Sequence, residues 1–250
     1  MATTIELVRK NVPLIHHLTN QVVMNFTANG LLAFGGSPIM SKEPKEAETM
    51  AQIANGVLIN IGTVTEKEVE AMFIAGKTAS ELKKPVILDP VGVAASSFRQ
   101  QVVRDLIDHI PFTAIKGNAG EMAHLVDITW QTKGVESIDD DNEKLSTIAK
   151  EVATRYGTLA IVTGEVDVLC DGKRMRTNGT GHPYLTKITG AGCLLGSIVT
   201  ACLTANDDHF QAAFDGVSFY GEAAEIAVKE QTVKGTGTFI ASFLDALATT

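Results

Sequence analysis

The feature that most restricts this chain is an alternation running from Glu46 to Val162, in which short apolar runs bounded by turn residues follow longer amphipathic stretches. Residues 56–61, 86–89, 113–116 and 159–162 are near-continuous apolar runs, the pattern of strands covered on both faces. Between them lie helical-period segments. Thr65-x-x-Glu68 and Ser97-x-x-Gln100 read as capping boxes opening helices that reach Leu82 and His109. A shorter helix is expected over residues 119–126, and another ends at Arg155 after a polar loop holding the acidic run Asp139-Asp140-Asp141. That run reads as a solvated loop. Together the segments predict a mostly parallel sheet with helices on both faces.

The flanks add to this plan. Ahead of it come a short helix from about Ile5, stopped near Pro13, a strand over residues 14–18 and a helix over residues 20–34. Gly35-Gly36-Ser37-Pro38 then delivers the apolar pair Ile39-Met40. Behind it, residues 166–170 and 173–177 alternate around Asp171-Gly172, which predicts an antiparallel hairpin at one sheet edge. Three helices, over residues 189–203, 207–228 and 238–247, close the chain. At 250 residues without a dividing linker, residues 1–250 are expected to form one domain.

Charge and cysteine usage narrow the partners. A net charge of −8 disfavours nucleic acid and anionic membranes, which select for basic patches, and favours a small molecule. Cys170, Cys193 and Cys202 show no C-x-x-C spacing, so neither a disulfide framework nor a zinc site is suggested. The first residues carry no basic stretch followed by an apolar run, and no membrane-length apolar segment occurs, so a soluble cytoplasmic protein is expected.

The candidate chemistry centres on K-I-T-G-A-G-C-L-L-G, from Lys187 to Gly196. Gly190, Ala191 and Gly192 leave the backbone uncovered just where a helix begins, so its free N–H groups and positive dipole end can receive a phosphate or a developing negative charge. Cys193 falls in that first turn. The spacing G-x-G-x-x-x-G is one residue too long for the dinucleotide fingerprint, and no G-x-x-x-x-G-K-[ST] occurs, so a nucleotide must be held in another way.

Ligands of open α/β sheets bind beyond the carboxyl ends of the strands. Asn60, Thr63, Asp89, Lys116, Asn118 and Thr163 all stand at such ends, with Glu121 one turn into the following helix. Asp89 and Glu121 are hard oxygen donors suited to Mg²⁺, while Lys116 and Thr163 suit polyphosphate oxygens. The set matches phosphoryl transfer, which needs mainly positioning and charge stabilisation. Met40 is either a wall for a flat ring or core filler. Asn25 reads as a partner for such a ring or as a surface asparagine. His16-His17 lacks a third ligand and is read as structural.

These residues carry a resemblance. The segments 19–41 (T-N-Q-V-V-M-N-F-T-A-N-G-L-L-A-F-G-G-S-P-I-M-S), L-I-N-I-G-T, L-D-P-V-G, I-K-G-N-A-G-E, I-V-T-G and I-T-G-A-G-C-L-L-G resemble the hydroxyethylthiazole kinases of thiamine biosynthesis, within the ribokinase-like superfamily. The resemblance implies a ribokinase-like three-layer α/β/α fold and ATP- and Mg²⁺-dependent phosphorylation of the primary hydroxyl of 4-methyl-5-(2-hydroxyethyl)thiazole. It also implies roles: Met40 and Gly190 on the thiazole side, Lys116 and Thr163 on ATP, Asp89 and Glu121 near the metal, and a homotrimer with the thiazole pocket at the subunit boundary. Gly235 to Thr238 joins the nucleotide pocket by the same analogy. Lys116 stands where some relatives have arginine, giving a less directional phosphate contact.

Cys193 takes the place where most ribokinase-like sugar kinases have an aspartate base. A thiol at a helix N-terminus can be partly ionised, yet a loose transition state demands little deprotonation, so Cys193 is expected to orient the hydroxyl and assist only weakly. Competing readings are a hydroxymethylpyrimidine or pyridoxal kinase, a nucleotide-dependent hydro-lyase on the same fold, and a sensor without turnover.

Overall fold

Each apolar run of the alternating stretch is a strand of one sheet, buried between helices. The computed structural model describes residues 2–130 and 138–250. Among these the sheet has eight strands: β1 (Leu14–Leu18), β2 (Ser37–Ile39), β3 (Gly56–Asn60), β4 (Val86–Asp89), β5 (Ala114–Asn118), β6 (Leu159–Thr163), β7 (Asp167–Cys170) and β8 (Met175–Asn178). Their spatial order is β2-β1-β3-β4-β5-β6-β7-β8. Pairing is parallel from β2 to β6 and antiparallel from β6 to β8, as the alternation and the edge hairpin predict.

The helices are α1 (Thr4–Asn11), α2 (Met24–Phe34), α3 (Pro44–Ile53), α4 (Glu66–Glu81), α5 (Ser97–His109), α6 (Ala119–Leu125), α7 (Ile138–Tyr156), α8 (Ala191–Ala205), α9 (His209–Lys229) and α10 (Thr236–Thr249). Side chains alternate between the faces of a strand, so β3 feeds two cores. Leu58 joins Leu31, Phe34, Ile198, Phe239 and Phe243 on the side of α1, α2 and α8 to α10. Val57 and Ile59 join Ala75, Val103 and Ile148 on the side of α3 to α7. The result is a three-layer α/β/α arrangement.

Helix α8 lies at the centre of its layer, with twelve of its 15 residues buried. Its apolar character all round follows from that position. Helix α2 crosses it at close range, since a methyl group on Gly30 would stand 2.4 Å from both δ-carbons of Leu194. No helix among the described residues is long and apolar enough to cross a membrane.

Several expectations need correcting. Helix α2 starts at Met24, because Asn20 turns its side chain inward and the chain forms a turn before Val23. Helix α8 starts at Ala191 instead of Thr189, since Gly190 is its left-handed N-cap. The cap of α5 is Ser96, whose hydroxyl accepts from the Arg99 N–H; of two adjacent serines the extended one caps. The hairpin turns on Gly172-Lys173, where the Asp171 N–H meets the Arg174 carbonyl, so β8 begins at Met175. Asp139 to Asp141 fall inside the start of α7 and not in a loop, and most of the polar loop expected ahead of them lies outside the described residues.

Candidate active site

Strands β3, β4 and β5 end side by side under the N-terminus of α8, and parallel register brings Asn60 opposite Asp89. Gly190 caps α8 with φ +92°, a conformation that favours glycine, and a methyl group there would meet Val23 Cγ1 at 2.7 Å. No side chain caps this helix start. Its first amides are therefore left for another acceptor.

Beneath the turn lies a buried ion pair. Lys116 Nζ stands 3.3 Å from Asp89 Oδ2, with side chains 4% and 1% exposed. The same ammonium lies 3.6 Å from where a β-carbon on Gly192 would stand, so the turn, the lysine and the aspartate form one group. Asp89 Oδ2 also accepts from Asn60 Nδ2 at 2.8 Å. Asp89 Oδ1 is buried with no partner. An orphaned buried carboxylate oxygen is costly, and as a hard oxygen donor it fits a cation such as Mg²⁺.

Burial pushes the Asp89 carboxyl up to about 6, with Lys116 opposing the shift and Glu121 adding to it. For Lys116 burial works against the charge, but Asp89, Cys193 and Glu121 outweigh it and its pKa is raised, so it stays an ammonium. Glu121 is in the capping box of α6: its Oε2 accepts from the Asn118 N–H and its Oε1 from the Gly92 N–H, both at 2.9 Å. Among the described residues no group of three or more His, Cys, Asp or Glu gathers as an all-protein cage. Asp89 and Glu121 therefore suit a cation that keeps water and phosphate oxygens in its shell.

Cys193 Sγ accepts from Asn60 Nδ2 at 3.2 Å and from Asn20 Nδ2 at 3.4 Å. Burial raises the thiol's pKa, as does the Asp89 charge, against the lowering effects of Lys116 and the two asparagines. Burial and the neighbouring carboxylate thus favour the thiol over the thiolate.

Asn20 is what sequence reasoning missed. It is buried, donates also to Asn60 Oδ1 at 3.1 Å, and follows β1 just as Asn60 ends β3. The strand-end rule applied to β1 finds it; extending the helix back to Asn20 hides it. Asn25, by contrast, is exposed on α2 and bonds Asn29. Met40 follows β2 at the sheet edge, half-buried, beside Ser41, whose carbonyl is 2.9 Å from His16 Nε2. Within one chain neither reaches Cys193 through any of these contacts. Thr163 ends β6 opposite Asn118 and donates to the Gly117 carbonyl at 3.3 Å.

The remaining candidates make contacts within the fold. His17 is fully buried: its Nδ1 donates to the Ile15 carbonyl at 2.9 Å and its Nε2 accepts from Ser197 Oγ at 2.7 Å. Burial lowers its pKa to about 4, so this neutral pairing ties β1 to α8. Thr63 Oγ1 accepts from the Gln21 N–H at 3.2 Å, joining two site loops. The turn before α10 is closed on itself, with Thr238 Oγ1 accepting from the Lys234 and Gly235 N–H groups at 2.8 and 3.2 Å.

Comparison with known proteins places the chain in a family. The sequence model of the Hydroxyethylthiazole kinase family matches residues 5–250. Hydroxyethylthiazole kinase 1 of Oceanobacillus iheyensis is 53% identical over 244 residues, covering 98% of this chain and 94% of its own. The structure of a hydroxyethylthiazole kinase protein from Pyrococcus horikoshii superposes with a TM-score of 0.89 at 34% identity, over 98% of this chain and 91% of that one. A ribokinase-like superfamily protein of Enterococcus faecalis shares the fold at 10% identity, with a TM-score of 0.68 over 96% of this chain and 88% of that one. The chain belongs to the hydroxyethylthiazole kinase family.

Proposed function

We propose that this chain phosphorylates the primary hydroxyl of 4-methyl-5-(2-hydroxyethyl)thiazole in thiamine biosynthesis or salvage, with ATP as donor and Mg²⁺ as metal. The alcohol oxygen attacks the terminal phosphorus, the bond from that phosphorus to the ADP oxygen breaks, and the hydroxyl proton passes to solvent as transfer completes. Family membership supports the kinase activity and the thiazole alcohol. The observation that carries the site is the uncapped start of α8 over the buried Lys116–Asp89 pair, with Asp89 Oδ1 left unpartnered.

Roles follow from chemistry and position. The Gly190, Ala191, Gly192 and Cys193 amides receive charge developing on the transferred group, and Gly190 also borders the thiazole alcohol. Lys116 and Thr163 bind phosphate oxygens. Asp89 and Glu121 hold Mg²⁺, which when bound neutralises phosphate charge. Cys193, kept as a thiol by burial, orients the attacking hydroxyl, and Asn20 and Asn60 fix its sulfur.

A homotrimer with pockets at subunit boundaries accounts for Met40 and Asn25, which lie toward the β2 edge. Exposed Val22 (70%) and Leu32 (56%) in the same region support such a contact. A cytoplasmic setting agrees with three buried free cysteines.

The test is ADP release by purified protein with ATP and Mg²⁺, comparing hydroxyethylthiazole, hydroxymethylpyrimidine, pyridoxal and no acceptor. Turnover selective for the thiazole alcohol is expected. A folded protein that binds ATP but turns over none of these would instead favour the hydro-lyase or the silent sensor.

A further inference from the structure

Arg99 breaks a local rule. It lies in the first turn of α5, where the helix dipole disfavours a cation, and its side-chain hydrogen bonds all go to backbone carbonyls. Nη1 donates to Ile61 O at 2.9 Å and to Val91 O at 2.6 Å, and Nη2 donates to Gly62 O. One guanidinium thus joins the loop after β3 to the loop after β4, the two that directly follow Asn60 and Asp89. Residues that violate local preference are often those set by function.

The second observation concerns a single peptide unit. The Val91–Gly92 carbonyl accepts from Arg99, and its N–H donates to Glu121 Oε1 at 2.9 Å. A cation grips the negative end of this peptide dipole and a carboxylate grips the positive end, so both bonds are charge-assisted. The peptide cannot flip without losing both. The Gly62 N–H in turn donates to Asn60 Oδ1 at 3.0 Å, so the other loop held by Arg99 leads back to the amide that bridges Asp89 and Cys193.

We propose that Arg99 is a positioning residue for the metal–nucleotide half of the site: through the Val91–Gly92 peptide it orients the Glu121 carboxylate toward a magnesium-bound nucleoside triphosphate. The inference rests on the assignment of Asp89 and Glu121 to Mg²⁺. Arg99 touches neither substrate. Its loss weakens binding of the magnesium nucleotide and leaves thiazole binding nearly unchanged.

The experiment is calorimetric titration of a non-hydrolysable ATP analogue with Mg²⁺, and separately of hydroxyethylthiazole, into wild type, Arg99→Met, Arg99→Lys, Glu121→Gln and the Arg99→Met/Glu121→Gln double variant. Arg99→Met is expected to weaken nucleotide binding about tenfold, the lower end of losses from outer-shell partners of metal ligands. Arg99→Lys, which spans fewer carbonyls, falls between it and wild type. The double variant binds no more weakly than Glu121→Gln alone, because Arg99 acts through Glu121.

Wild-type affinity in Glu121→Gln overturns the metal assignment and the inference with it. A weakened Glu121→Gln beside an unaffected Arg99→Met, or losses that add in the double variant, overturns the inference alone. So do equal losses of nucleotide and thiazole affinity with a lowered Tm, which mark a purely structural role. If Arg99→Met does not fold, Arg99→Lys decides on the same terms.

Discussion

The starts of α8 and α9 both meet charged residues, and they are finished in opposite ways. At α8 the cap is a glycine, no side chain takes the first amides, and the charges below are buried with one carboxylate oxygen unpartnered. At α9 the cap is Asp208, whose carboxylate accepts from the Gln211 N–H at 3.2 Å and from two Arg174 nitrogens at 2.8 Å each. Asp171 takes a third bond from Arg174, at 2.8 Å. The α9 end even borders an open cleft of about 640 Å³, shared with the amino ends of β5 and β6 through Thr113 and Leu159. Space alone does not make a site. We read the α8 end as the working one because charged groups there are desolvated and one carboxylate oxygen is left unsatisfied, so that an incoming ligand gains what water no longer provides.

The strongest way to break this contrast is Asp89→Asn, which keeps the shape and removes the charge. It leaves Lys116 buried beside a neutral amide and deletes a metal-side oxygen. kcat/KM for the magnesium nucleotide is expected to fall by about 10²–10³, the range for losing one preorganised electrostatic group. Retention within tenfold would mean that the open terminus is not the working one. A matching signature is expected in the wild-type profile: kcat/KM should rise with pH through about 6 as Asp89 loses its proton, and the variant should lack this limb. Stability runs the other way. A carboxyl raised above its unfolded value near 3.8 stabilises the fold below that pH and loses the contribution as pH climbs to about 6.

Cys193 sharpens the contrast at a smaller scale. Its sulfur already accepts from Asn20 and Asn60, and burial keeps it a thiol, so it is poorly suited to take a proton. Cys193→Ala is expected to lower kcat by roughly tenfold or less, below the 10²–10⁴ that loss of a general base costs. Cys193→Asp should retain activity, since a carboxylate there can accept both asparagine amides. A loss beyond a thousandfold in the alanine variant would make the thiol the base and overturn the orienting role.

What the sequence made legible follows from burial. Val57-Leu58-Ile59 and Val86-Ile87-Leu88 are visible as strands because covering both faces demands an unbroken apolar run. Thr65 and Glu68 are visible as a cap because their reciprocal bonds are local. Asp89 and Cys193 are legible as candidate site residues because each stands at a strand or helix end, whereas Lys116, read from the sequence as a strand end, lies inside β5. The bridge among them is not legible, since it depends on strand register: Asn60 reaches Asp89 only because β3 and β4 align these residues, and Asn20 joins only because the chain delays α2. Arg99 was silent for the same reason. Nothing local in F-R-Q-Q announces three carbonyls from two distant loops.

The smallest effect tests the closed end. Asp208→Ala removes the side-chain cap of α9 and the partner of Arg174, at a cost of about 1 kcal/mol by the usual worth of an N-cap. The Arg174 pair itself adds little, being half exposed on both sides. Urea denaturation reads the stability loss, and kcat and both KM values are expected to match wild type. The pH dependence gives an internal check. Arg174 and the Gln211 N–H hold Asp208 down at about 2, so its contribution is present above the unfolded value near 3.8 and fades as pH falls toward 2. The stability gap between wild type and variant should therefore narrow across that window. A changed KM in Asp208→Ala would tie the cleft at the amino ends of the strands to catalysis, and the distinction between an open and a closed helix start would fail.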